Sequence, residues 1–162
     1  MALQQISFEL ANRPGALAAV ARLLAEAHIN LSAISVDSAG REGHVRLIVS
    51  DPERAARALK AAKYPAVRHE MIAVRLEDRA GSFLKVLDVL AAAQVNVSSV
   101  AILVAKEGSQ SLVALVTDDL AKSRRLLQRA GFISESAERL VTNADLIAAS
   151  PAIPQESVGF LL

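Results

Sequence analysis

Two glycine-centred turns and two asparagines are the positions in this 162-residue chain whose side chains and backbone could hold a small ligand. Asn12, Arg13, Pro14, Gly15, Ala16 and Leu17 lead into a helical pattern. Asp78, Arg79, Ala80, Gly81, Ser82 and Phe83 do the same 66 positions later. Glycine adopts backbone angles that side chains forbid, so each turn can bend sharply into its helix. The first N–H groups of a helix have no partner within it, and with the helix dipole they favour a carboxylate. Asn30 and Asn96 open the strands that follow, beside Leu31 and Val97. An asparagine side chain both donates and accepts hydrogen bonds. If a second unit brought its own strand alongside, an α-amino acid could be held between turn and asparagine. The plainer reading is that the glycines only make tight turns and the asparagines only cap helix ends. From residues alone it is favoured, because such turns recur in every fold.

Other chemistry finds little support. His28, His44 and His69 are scattered, and none has a second histidine or an acid at metal-ligand spacing. His28 suits a helix C-terminus, and His44 and His69 read as strand-edge residues. There is no cysteine, which excludes disulfides, thiolate catalysis and cysteine-held metals. No serine sits in a nucleophile elbow and no glycine loop has phosphate-cradling spacing. Glu9 and Arg75 read as surface charges. The expectation is a protein that is not an enzyme and needs no cofactor or metal. The net charge is +1 with acids and bases interspersed, which argues against nucleic acid or an anionic membrane as partner. Arg124 and Arg125, the densest basic spot, fall on a solvated helix face. No apolar run is long enough to span a bilayer and no secretory leader is visible, so the expected compartment is the cytoplasm.

The elements that position these residues come in two copies. The shift of 66 carries Phe8-Glu9-Leu10 onto Val74-Arg75-Leu76 and Asn30-Leu31-Ser32 onto Asn96-Val97-Ser98. It also carries the helix-spaced set Leu17, Val20, Ala21 and Leu24 onto Phe83, Val86, Leu87 and Leu90. Four matches in one register define a repeat. In the first copy the spacing predicts strands at 6–10, 30–36, 44–49 and 67–70, and helices at 16–27 and 52–62. Asp51-Pro52 starts the second helix, with Asp as cap and Pro in the first turn. In the second copy strands are expected at 72–76, 96–104 and 111–116, with helices at 82–93 and from Asp118 to about Gly131. A one-residue insertion in the hairpin accounts for the slip from Asp51 to Asp118. The last strand falls at 139–142, with 146–149 competing.

Each copy therefore reads β-α-β-β-α-β. The fold class is α+β: two tandem ferredoxin-like modules, each an antiparallel sheet with helices on one face. Module boundaries fall at 1–70 and 71–149, with a tail at 150–162 whose apolar end is expected to dock on a neighbouring copy or chain. Almost nothing separates Glu70 from Ile72, so the modules should hold a fixed orientation. The third strands differ. Val45, Leu47 and Val49 alternate with His44, Arg46 and Ser50, giving one dry and one wet face. Residues 112–116 (Leu-Val-Ala-Leu-Val) are apolar on both faces, which predicts a second covering layer over that sheet, supplied by the first copy, by the tail or by a partner chain.

At the two turns and the two asparagine-led strands, both copies over about residues 5–135, the chain resembles the ACT domain family. The resemblance implies a regulatory module that pairs side by side and binds a small ligand, often an amino acid, at the interface. Asn12 to Leu17, Asp78 to Phe83, Asn30, Leu31, Asn96 and Val97 would form the sites. Gly15 and Gly81 would allow close backbone approach, and the asparagines would orient polar groups. The second turn departs from the pattern. Ala80 replaces proline, and Asp78 brings negative charge that suits an ammonium group better than a carboxylate. The implied partners are an amino acid, a second copy as homodimer, and an enzyme or regulator acted upon. The alternatives are a regulatory subunit of an amino-acid biosynthetic enzyme and a ligand-free structural dimer. An RNA-binding module is weak, because Phe8 and Val74 are too little aromatic surface.

Overall fold

The computed structural model describes residues 3–103 and 110–132. The first copy folds as β1 (Gln4–Ala11), α1 (Ala16–Glu26), β2 (Leu31–Ala39), β3 (Glu42–Val49), α2 (Pro52–Ala61) and β4 (Val67–Glu70). The second folds as β5 (Ile72–Glu77), α3 (Ser82–Ala92), β6 (Val97–Leu103), β7 (Gln110–Thr117) and α4 (Leu120–Arg129). The first sheet is antiparallel with strand order β2-β3-β1-β4, and the second has order β5-β7-β6 among the described residues. The order and helix placement are those of the ferredoxin-like fold. The expected last strand at 139–142, its competitor at 146–149 and the tail at 150–162 lie outside the described residues.

Each sheet buries one face under its own two helices. Ile6, Phe8 and Leu10 of β1 meet Val45, Leu47 and Val49 of β3 beneath Val20 and Leu24 of α1 and Leu59 of α2. Ile72, Val74 and Leu76 meet Val113 and Leu115 beneath Val86, Leu90 and Leu127 in the same way. The helices form because their apolar residues recur at i, i+3, i+4 spacing and so make a single stripe. The cores differ at several positions, among them Phe8 against Val74 and Ile29 against Val95, and one pair of exchanges is polar. Where the first has Val49 and Ala55, the second has Thr117 and the fully buried Ser123. Ser123 Oγ lies 2.6 Å from the Asp119 carbonyl oxygen and 2.9 Å from Thr117 Oγ1, so the buried hydroxyl is satisfied.

The strand register corrects two sequence expectations. Val45 pairs with Phe8, and Val113 pairs with Val74, so the hairpin of the second copy is longer by two residues, not one. The cap of α4 is accordingly Asp119, not Asp118. Asp119 accepts from the Lys122 amide at 2.9 Å, as Asp51 accepts from that of Arg54 at 2.9 Å, with the same backbone angles. Asp118 instead takes the place of Ser50. Its carboxylate accepts from the Asn96 amide at 3.1 Å, where Ser50 Oγ accepts from the Asn30 amide at 3.1 Å. Two adjacent aspartates each offered a cap, and only the ladder chooses between them.

The helix-free faces of the two sheets stack on one another. Leu112, Ala114 and Val116 of β7 pack with Ile48 of β3 and with Leu3, Met71 and Leu103, flanked by Ala33, Ala73 and Ala101. The result is four layers, helices outside and sheets inside. The expected cover over the second sheet is thus supplied by the first. Val113 and Leu115 are buried as well, but under their own helices. The first sheet's wet face is wet for only part of its length, since Ile48 on that face is 2% exposed. A side-chain hydrogen bond crosses the stack, from Ser99 Oγ to Gln5 Oε1 at 2.8 Å. Stacked sheets lie about 10 Å apart, and alanines at the contact leave little room for added volume. Ala114→Leu should therefore cost about 1–3 kcal/mol, or several degrees of Tm, whereas Ala91→Leu on the exposed surface of α3 should cost under about 0.5 kcal/mol. Thermal unfolding followed by circular dichroism separates them; equal midpoints would contradict the stacked arrangement.

Candidate functional site

The two glycine turns are alike in detail. Gly15 (φ 82°, ψ −14°) and Gly81 (φ 84°, ψ −7°) are the N-cap residues of α1 and α3, and neither helix has a side-chain cap. By contrast α2 and α4 are each capped by an aspartate. The Ala16 amide bonds back to the Arg13 carbonyl at 3.2 Å and that of Ser82 to Arg79 at 3.2 Å. Among the described residues no backbone carbonyl accepts from Leu17 and Ala18, or from Phe83 and Leu84. These are the amides an anion would meet. A Cβ built on either glycine would have no atom within 4 Å, so the space beside each bend is open. Asn12, Arg13, Pro14 and Leu17 are exposed and Ala16 is buried; Asp78, Arg79 and Ala80 are exposed, with Ser82 and Phe83 half-buried. Asn12 also has a structural task. Its Nδ2 donates to the Gly40 carbonyl at 3.0 Å and its amide to that of Arg41 at 2.9 Å, tying the turn to the β2–β3 hairpin. Arg79 is held by Glu77, Nε to Oε2 at 2.6 Å. A crevice of about 160 Å³ lies beside the second turn, between Asp78, Arg79, Ser82 and Phe83 and the Val100 and Ile102 side of β6.

Asn30 and Leu31 lie elsewhere. β1 and β2 both pair antiparallel with β3 and so run in the same direction. The Gly15 turn follows the end of β1, whereas Asn30 precedes the start of β2. An eight-residue strand, about 25 Å, separates them. Asn96 and Val97 stand in the same relation to Gly81. Within one copy, the candidate residues are therefore not brought together. Nor does the other copy of the chain supply the missing half, because it stacks on the face of the sheet and not along its edge. A hollow of about 390 Å³ lies at the Asn30 end, lined by Leu24, His28, Ile29, Asn30 and Leu31 among others. Ser32, at a β-bulge there, has a buried hydroxyl with no partner, whereas its counterpart Ser98 donates to the Val116 carbonyl at 3.3 Å.

Sequence reasoning missed a third feature. A groove of about 470 Å³ opens on the flank of the stack, between edge strands β2 and β6. Its walls carry Asp37 and Arg46, which are ion-paired across β2 and β3, together with Ser35, Ser99 and Gln5. Arg46 was legible as a wet-face residue, but its neighbours depend on register. Two of the three histidines are engaged elsewhere on the same face. His44 Nδ1 lies 2.6 Å from Glu9 Oε1, and His69 Nε2 lies 2.9 Å from Ser7 Oγ. Among the described residues no group of histidines and acids could hold a metal, and no helix is long and apolar enough to cross a membrane.

A family model described as an ACT domain pair matches residues 1–142. Protein BT0572 from Bacteroides thetaiotaomicron is 27% identical and superposes with a TM-score of 0.75, the match covering 90% of this chain and 96% of that one. The ligand-free regulatory subunit of aspartate kinase from Thermus thermophilus shares the fold at 18% identity and a TM-score of 0.57, covering 80% and 93%. Aspartokinase alpha and beta subunits give 15% and 0.54, covering 80% and 93%. No curated protein matches the sequence.

Because the surroundings of Gly15 and Gly81 are open, substitution there is penalised by backbone angle alone. Val should destabilise by about 1–3 kcal/mol, Ala by about 1–2, and Asn least, since its side chain tolerates the left-handed region. Urea unfolding of the three variants at Gly15 checks this ranking. A ranking by side-chain volume with Asn as costly as Val would point to steric crowding instead.

Proposed function

The chain belongs to the ACT domain family, in its paired form, and from this we propose that it is a regulatory protein without catalytic activity that binds an amino acid and acts as a homodimer on a partner protein. The observation that carries the reading is the contrast between helix starts. The two helices that follow the glycine turns leave their second and third amides without a carbonyl or side-chain cap, and the other two are capped by aspartate. A carboxylate suits the bare ends.

The free strand edges support the homodimer. β2 and β6 are edge strands, and each presents apolar side chains beyond the reach of the helices: Ile34 and Val36 on one, Val100 and Ile102 on the other. Exposed edges of this kind are natural sites for strand pairing. An antiparallel partner strand laid on β2 would place its own beginning beside the end of β2. One copy's Asn30 or Asn96 would then stand next to the other's glycine turn, completing a site that neither copy holds alone. The near-zero net charge favours small molecules and proteins over nucleic acid as partners. A regulatory subunit of an amino-acid biosynthetic enzyme is the alternative form of the same reading, favoured by the fold shared with the regulatory subunit of aspartate kinase.

Two measurements test it. In a thermal-shift screen of the twenty amino acids, a ligand at 100 times its Kd should add about 2.7 kcal/mol, or roughly 5–10 °C. Asn30→Ala should abolish the shift while leaving the unliganded midpoint nearly unchanged. No response to any amino acid would overturn the reading. In sedimentation, the wild type should be a dimer and Val36→Glu/Ile102→Glu a monomer that no longer responds; a monomer that still binds would refute the shared site.

A further inference from the structure

Charge is balanced over the whole chain but not along it. Residues 52–70 hold Arg54, Arg57, Lys60, Lys63 and Arg68 against Glu53 and Glu70, a net of +3. Residues 120–132 hold Lys122, Arg124, Arg125 and Arg129 with no acid, a net of +4. The whole chain is +1, so everything else carries −6. Most of these cations belong to α2 and α4, the second helix of each copy. Arg54, Arg57 and Lys60 are exposed at every third position, and Lys122, Arg125 and Arg129 recur at i, i+3 and i+7, so each set shares one side of its helix. Arg68 of β4 lies opposite Ile6 and so on the α2 side of the sheet. Arg57 pairs with Glu53 at 2.9 Å, but among the described residues no acid pairs with Arg54, Lys60, Arg125 or Arg129.

Helix stability does not account for this arrangement. Like charges three or four positions apart weaken a helix. The first helices show the ordinary solvated pattern, with opposite charges at Arg22 and Glu26 in α1 and at Lys85 and Asp88 in α3. Lys60 and Arg129 in the last turns suit the helix dipole, but Arg54 and Lys122 in the first turns oppose it. Lys122 is compensated, because its Nζ donates to the Ala93 carbonyl at the end of α3 at 2.8 Å. The Arg54 guanidinium has no such partner among the described residues.

We propose that the outer faces of α2 and α4 dock on an acidic helix of the protein this chain regulates, one that carries Asp or Glu in a stripe at i, i+3 or i+4, and i+7. This rests on the reading of a chain that acts on a partner protein, and adds the face and the partner's chemistry. A guanidinium pairs with a carboxylate through two parallel hydrogen bonds, and its stem covers apolar surface beside it. One exposed ion pair is worth little, so recognition needs several at once on two matched stripes. Nucleic acid fits less well. The faces lie on opposite outer layers of the stack, so one duplex cannot reach both, and the −6 elsewhere repels a polyanion. Tyr64, just after α2, is turned in against Phe8 with ring centroids 5.6 Å apart and offers no platform for a base.

The test titrates the full-length ¹⁵N-labelled protein with an alanine-based helical peptide of about 20 residues whose glutamates form one stripe. A second peptide of the same composition has its glutamates spread around the helix, and a DNA duplex is the third probe. The striped peptide should shift amides of 53–63 and 121–129, bind at least about fivefold tighter than the spread one, and weaken about tenfold between about 50 and about 250 mM salt. Arg54→Gln/Arg57→Gln should weaken its binding at least about fivefold, whereas Arg22→Gln/Lys85→Gln, which removes the same charge from α1 and α3, should change it less than about twofold. The side chains replaced are exposed, so circular dichroism should show all variants folded. Equal weakening by the two double variants would reduce the effect to net charge and overturn the docking face. Tighter binding of the duplex at the same amides would overturn it in favour of nucleic acid, and the absence of shifts at 53–63 and 121–129 would overturn it outright. A silent peptide with an intact thermal shift by an amino acid would sink this face and leave the regulatory reading standing; a binding peptide with a silent amino-acid screen would do the reverse.

Discussion

The contact between the helix-free faces of the two sheets determines the rest of the molecule. It is made largely of small and aliphatic residues, Ala33, Ala73, Ala101 and Ala114 around Ile48, Leu112 and Val116. Such a surface lets two twisted sheets approach closely without voids. The contact ends where charge begins. Arg46 stands two residues before Ile48 on the same face, and carrying its guanidinium into the stack would cost more than the added apolar contact returns. The sheets therefore part at Arg46 and Asp37, and the groove is the consequence. With both inner faces engaged and both outer faces under helices, the exposed parts of each sheet are its edges and the turns at its ends.

The stack also explains how two similar copies became different. On the inner face of the third strand, His44, Arg46 and Ile48 of the first copy stand where the second has Leu112, Ala114 and Val116. Two copies of the first kind would set Arg46 and its equivalent against each other in a space without water. Two of the second kind would pack well, but they would leave no polar lining. One dry face against one half-wet face gives both a stable contact and a polar cleft. The helix-side cores, which each copy builds for itself, needed no such asymmetry. There the differences are compensated within one copy, as with Thr117 and Ser123 replacing Val49 and Ala55.

The features legible in the sequence were those set by local pattern. The repeat, the helix stripes, the strand alternation and the left-handed glycines at 15, 81 and 131 all follow from residue type and spacing. The doubly apolar run at 112–116 rightly implied a covering layer, because a strand dry on both faces has no other solution. What covered it was not legible, since Ile48 hides within a strand that otherwise alternates. Asp118 and Asp119 show the limit of cap reasoning: either could start a helix, and the choice depends on hairpin length. The site was the least legible part. Gly15 and Asn30 are near in sequence and recur as a pair, but the helical crossover between the like-directed β1 and β2 sends them to opposite ends of one sheet. Arg46 and Asp37 are nine positions apart with nothing in their spacing to join them, yet the β2–β3 register sets them diagonally across the ladder, within reach of an ion pair.

The same topology links the strand edges to the groove. Among the described residues β2 and β6 are edges of separate sheets, and the stack sets them on one flank with the groove between. Any chain that adds to β2 must pass close to β6, and whatever fills the groove lies between the two strands such a chain would contact. Filling of the groove and pairing at the edges would thus draw on the same flank of the molecule. A ligand that changed the separation of β2 and β6 would alter how well a second copy could engage both at once. Binding free energy would in that way become a difference in affinity for a partner, which is the physical meaning of regulation by a small molecule.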